Sequence, residues 1–164
     1  MFNKRKNKKT EAGFTILELM AVVFVVSIGM IAVMNWISQA FLHARVIRSK
    51  LIAAYLAEEG IEIVRNIRDT NWVEGDVWNS GIGTSGDFEM QYDDIALSNY
   101  TGRYLKINEA GFYNYSLGSD TKFKRKISIN TSVNEEISVL VTVSFQEMGK
   151  DFEVKALEKL KKWR

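Results

Sequence analysis

The sequence predicts an α+β chain, with one long N-terminal α-helix packed on a small C-terminal antiparallel β-sheet. Three observations carry this prediction. From Phe14 to Leu42 the only charged side chain is Glu18. Apolar or small residues then recur at Ile47, Leu51, Ala54, Tyr55, Ile61, Ile63, Val64 and Ile67, close to helical spacing, with charges on the other faces. From about Tyr104 the apolar period shortens to two, as in half-buried strands. The expected layout is a basic leader at 1–13, a membrane-spanning helix at 14–42, its continuation at 43–69, a connector at 70–103 and a sheet domain at 104–164. A chain of 164 residues has room for one domain and a long helix.

The leader dominates the charge. Residues 1–13 hold five basic side chains and one acidic one, so they carry net +4; the remainder is net −2. The basic pI of 8.7 therefore belongs mostly to the leader and does not argue for nucleic-acid binding. Cysteine is absent, which excludes thiolate chemistry and disulfide closure, and proline is absent, so no kink can be assigned to it.

A basic stretch before an apolar run also describes a secretory signal peptide. The run Leu19–Leu42 is 24 residues long, however, against about 7–15 for a signal segment. No small-x-small site ends it, since Asn35, Trp36 and Gln39 stand there. Its length suits a spanning helix, which needs about 20 residues for a core of about 30 Å. A carboxylate one turn inside such a span is costly in lipid and points to a function.

The stretch Lys8-Lys9-Thr10-Glu11-Ala12-Gly13-Phe14-Thr15-Ile16-Leu17-Glu18-Leu19-Met20, with the apolar run behind it, resembles the N-terminus of a type IV prepilin or pseudopilin, and the chain as a whole looks minor-pilin-like. The resemblance implies the pilin fold and a structural subunit of a type IV pilus or pseudopilus. It also implies cleavage after Gly13 by prepilin peptidase, N-methylation of Phe14, and pairing of Glu18 with the new α-amine of Phe14 on a neighbouring subunit. Implied partners are prepilin peptidase, other pilin subunits, the inner-membrane assembly platform and, before assembly, membrane lipid. The leader would stay cytoplasmic, which agrees with the positive-inside rule. The head would be extracytoplasmic, and later part of an extracellular pilus or a periplasmic pseudopilus. The competing reading is a single-span, membrane-anchored extracytoplasmic binding domain that does not polymerise.

Helix continues to Asp69 in this reading, and Glu58, Glu62 and Arg65 sit at pairing distance along it. Gly29 and Asn35 are poor helix formers. They mark Ser27–Trp36 as a stretch that loses helicity in a filament, unless Gly29 serves close helix packing instead. Thr70–Gly86, rich in Asn and Gly, reads as the connector, with Trp72 and Trp78 pinning it to the head. Its literal G-x-G-x-x-G at Gly81–Gly86 lacks a preceding strand and a following helix, so it is discounted as a dinucleotide motif.

Short strands are expected at Tyr104–Ile107 and Phe112–Tyr115. Phe123, Arg125, Ile127 and Ile129 alternate along a third, and Ile137–Phe145 is the clearest strand. Phe152, Val154 and Ala156 begin another. Leu157–Arg164 either extends it or forms a short amphipathic turn. Short connections predict an antiparallel meander.

No catalytic residue, cofactor or metal site is expected, and the chain reads as a substrate for an enzyme and not as one. His43 is alone and reads as an interfacial polar residue. Asp76, Asp87, Asp93 and Asp94 lack EF-hand spacing and read as solvated loop acids against a calcium site. Lys122, Lys124, Arg125 and Lys126 form a local basic run that would serve nucleic acid in a DNA-uptake pilus; the solvated face of a strand is the plainer reading.

Overall fold

Thr15 starts the one helix found among the described residues. Its hydroxyl accepts a hydrogen bond from the Glu18 amide at 3.3 Å, and its carbonyl accepts from Leu19 N at 3.1 Å. That is the N-cap role for which threonine is suited. From there α1 runs Ile16–Glu74. The computed structural model describes residues 13–132 and 136–162. These fall into two compact units that divide between Ala44 and Arg45.

In the first unit, α1 is an isolated apolar helix, long and apolar enough to cross a membrane, and none of its most apolar window is buried. Phe24, Val25, Ile31 and Phe41 are among its many exposed side chains. Two hydroxyls within it are satisfied locally, Ser27 Oγ donating to Val23 O at 2.7 Å and Ser38 Oγ to Met34 O at 2.9 Å. Such back-bonding lets serine sit in a helix without an orphan donor.

The second unit holds the remainder of α1 and two sheets. α1 ends with the Gly75 amide reaching back to Trp72 O and the Asp76 amide to Asn71 O. Gly75 itself sits at φ 79°, the left-handed conformation common just past a helix end. The helix therefore continues one turn beyond the expected Asp69. Five strands, β1 (Gly86–Glu89), β2 (Ser98–Asn99), β6 (Phe123–Ser132), β7 (Glu136–Glu147) and β8 (Lys150–Lys161), form one sheet in the order β2-β1-β6-β7-β8. The pairs β3 (Lys106–Ile107), β4 (Tyr113–Asn114) and β5 (Ser119–Asp120) form a small second sheet in the order β4-β3-β5. All pairings are antiparallel.

The meander β6-β7-β8 is as expected, and the open question about Leu157–Arg164 resolves toward strand as far as Lys161. The β7–β8 turn is two residues long, because Glu147 pairs with Lys150. Met148 and Gly149 both take positive φ, 55° and 73°, which suits the right-handed twist of a hairpin. β1 and β2 come from the stretch expected to be a connector. Gly86 and Phe88 of β1 pair with Ile129 and Ile127 of β6, so part of the Gly-rich region is built into the main sheet. Its apolar run is too short to show a period.

Alternation places Ile137, Val139, Val141, Val143 and Phe145 of β7 on the buried face, joined by Ile127 and Ile129 of β6. They pack on Ala53, Leu56, Ala57, Ile61 and Val64 of α1 in one core. The helix lies close against the sheet at Gly60. A methyl group there would lie 2.8 Å from Val141 Cγ1 and 3.2 Å from Arg125 Cδ, so glycine sets the distance between the layers. Trp78 is buried and anchors its loop, with Asn71 Nδ2 donating to Trp78 O. Trp72 is half exposed and does not.

Candidate processing and assembly segment

Gly13, Phe14 and Glu18 all lie exposed at the start of the described chain. Gly13, Phe14 and Thr15 precede the helix, and Ile16 opens it. Thr15 and Glu18 hold the N-cap and N3 positions of a Thr-x-x-Glu sequence, in which the bond from the Glu18 amide to the Thr15 hydroxyl is formed. The acid thus stands in the first turn, where the helix dipole favours negative charge. Phe14 is 71% exposed. A side chain added at Gly13 would meet nothing within 4 Å. The backbone on both sides of the Gly13–Phe14 bond is therefore open to approach, and a glycine there is not demanded by the chain's own packing. The leader's residues 1–12 lie outside the described part.

Polar groups in the second unit serve the fold. Arg125, expected in an exposed basic run, is instead completely buried. It donates to Leu56 O at 3.2 Å and Met90 O at 2.7 Å, and pairs with Glu59 Oε1 at 3.2 Å. Tyr115 caps the same spot, its hydroxyl donating to Arg125 O at 3.2 Å, and burial pushes that phenol up to about 12. The other members of the run are engaged as well. Lys122 pairs with Glu147 and donates to Ser49 Oγ, Lys126 pairs with Asp87, and Lys124 lies over the Tyr104 ring.

Hydrogen bonds from Lys122 and Ser49 hold Glu147 below the usual carboxylate range. Asp87 is lowered chiefly by the Ser128 hydroxyl, with Lys126 adding to the effect. Asp94 accepts from Gln91 N at 3.0 Å. Among the described residues no three His, Asp or Glu side chains converge as a metal site would require.

Sequence reasoning missed Glu89, which is buried and accepts from Thr101 N at 3.0 Å and Arg103 Nε at 2.9 Å. Nothing in its local sequence marks it, since its partners lie 12 and 14 residues away. For Arg125 the signal was available. It shares the alternation of Phe123 and Ile127, which turns it inward.

The fold is thus an exposed apolar N-terminal helix that continues into an α+β unit, as in a membrane-anchored single-pass protein. Residues 8–34 match the family model for the prokaryotic N-terminal methylation motif, and this supports a type IV pilin-like protein of the kind processed by prepilin peptidase. Comparison with curated proteins and with solved structures returned no match.

Proposed function

We propose that the chain is a structural subunit of a type IV pilus or pseudopilus, matured by prepilin peptidase and assembled through its N-terminal helix. The observation that carries this reading is the methylation-motif match at residues 8–34, lying over the accessible Gly13-Phe14-Thr15 segment and the first turn of α1. Cleavage after Gly13 removes the basic leader, and methylation follows at the Phe14 amine. Glu18 then pairs with the Phe14 amine of a neighbouring subunit. An unpaired carboxylate in lipid is expensive, so this pairing favours one axial register as the helix leaves the membrane. The leader faces the cytoplasm and the head the other side. Exposed apolar side chains along 14–42 first meet lipid and afterwards sister helices. In this role the chain is acted on by an enzyme, is not one itself, and works without cofactor or metal.

Mass spectrometry of the N-terminus isolated from the native host tests the reading. An N-methylated Phe14 supports it. A leader still attached to the working protein overturns it and favours a single-span anchored binding domain. Glu18→Ala should leave cleavage intact and abolish incorporation into fibres; normal incorporation would remove the pairing mechanism.

A further inference from the structure

Past the apolar run the chain reads His43-Ala44-Arg45-Val46-Ile47-Arg48-Ser49-Lys50, with three cations and no carboxylate. Arg45 follows Leu42 closely in sequence, and even a fully extended link would keep it within about 11 Å of the end of the run. The headgroup layer outside a hydrocarbon core is about 5–8 Å deep, and the long stems of arginine and lysine let their charges reach toward it. Where the apolar run lies in lipid, these cations therefore stand at the level of the headgroups.

The second unit adds to this charge from its sheet. β7 runs against α1, because Gly60 faces Val141 while Ser49 donates to Glu147 at the end of the strand, at 2.9 Å. Beyond Glu147 the chain therefore heads toward the Arg45 end of the unit, where the tight turn Met148-Gly149 leads into Lys150. Met148 is an apolar side chain 53% exposed at that tip. Arg45, Arg48, Lys50 and Lys150 are all exposed, and among the described residues none of them forms an ion pair. Lys50 lies 5.3 Å over the Phe152 ring. Of the carboxylates at this end, Glu147 is held by Lys122 and Ser49, Asp151 accepts from Gln146, and Asp120 stands two residues before Lys122. Positive charge prevails around an apolar tip.

We infer that the end of the second unit at which α1 enters it is a docking surface for anionic phospholipid, with Arg45, Arg48 and Lys150 on the headgroup phosphates and Met148 in the interfacial layer. Basic side chains beside a span are attracted to leaflets that carry net negative charge, and a zwitterionic leaflet offers no such field. The contact steadies the head against the leaflet while the subunit waits in the membrane, and it is lost when the span leaves lipid. The inference rests on the spanning part of the reading above and names the lipid class that part would meet.

The chain has no cysteine, so Met148→Cys introduces the only thiol. The full-length chain with a fluorophore on that thiol is placed in nanodiscs that mix phosphatidylcholine and phosphatidylglycerol, one or the other carrying a nitroxide near its headgroup. The expected result is quenching several-fold stronger from the labelled phosphatidylglycerol, lost in molar salt because exposed charges are then screened. Arg45→Gln, Arg48→Gln and Lys150→Gln together should bring the two lipids level. Near-UV circular dichroism should stay unchanged in that variant, since these side chains hold no ion pair within the unit. Equal quenching by the two lipids before any cation is removed overturns the inference. A preference that survives molar salt or the triple substitution overturns it too, because its source then lies outside these cations. A chain that fails to insert into the discs brings down the span, and the docking surface with it. Leader retention in the host would bring down the pilus reading alone, since an anchored domain meets the same lipid.

Discussion

Replacing Arg125 by methionine separates a buried clamp from a surface charge. The side chain is fully buried, with two carbonyl acceptors and a partner, Glu59, whose side chain is about a third exposed at 32%. Hydrogen bonds from a charged group contribute about 1.5–3 kcal/mol each, so losing the bonds to Leu56 O and Met90 O removes about 3–6 kcal/mol gross. Part of this returns. Methionine no longer desolvates a cation, and the buried Arg125 Nε, which has no partner, disappears with its penalty of about 1–3 kcal/mol. The net expectation is a destabilisation of about 2–3 kcal/mol, or a fall in melting temperature of about 5–10 °C. Glu59→Gln should cost under about 1 kcal/mol, because solvent already screens that end of the pair. Thermal melts of the full chain in detergent, followed by near-UV circular dichroism, measure both. A change within about 0.5 kcal/mol for Arg125→Met is what a solvated surface position gives, and would refute the clamp.

Gly60→Ala should lower stability although alanine is the better helix former. The helix gains about 1 kcal/mol, but overpacking against Val141 costs about 1–3 kcal/mol, and Val141→Ala in the same chain should recover part of the loss in the same melts. Glu147 is held below the ordinary carboxylate value of 4.5 by Lys122 and Ser49. Its contribution is therefore complete above that pH and is lost as pH falls through the lower folded value. Glu147→Gln should destabilise at neutral pH and flatten the acid limb of a stability–pH curve; an unchanged limb would remove this contribution. Gly13→Leu should block leader removal, read by electrophoretic mobility, while the circular dichroism of the head stays unchanged, because the added side chain has open space around it.

Local signals in the sequence reach far along this chain. The basic leader, the long apolar run and the lone Glu18 are legible because a membrane span and a processing motif are written in consecutive residues. The three long strands are legible because each has one buried face and so a period of two. Thr15 and Glu18 show the helix start through capping chemistry that involves only neighbours.

Tertiary structure decided what depends on distant partners. Arg125 looked both inward, by its place between Phe123 and Ile127, and outward, by its place between Lys124 and Lys126. Only the carbonyls of Leu56 and Met90, 69 and 35 residues away, offer the acceptors that let a cation be buried there. β1 was hidden among glycines until β6 supplied its pairing, and the place of Gly60 was set only when Val141 came within reach. A short segment or a single polar residue has too little periodicity to report its own surroundings, so its state is set by whichever surface the fold brings against it.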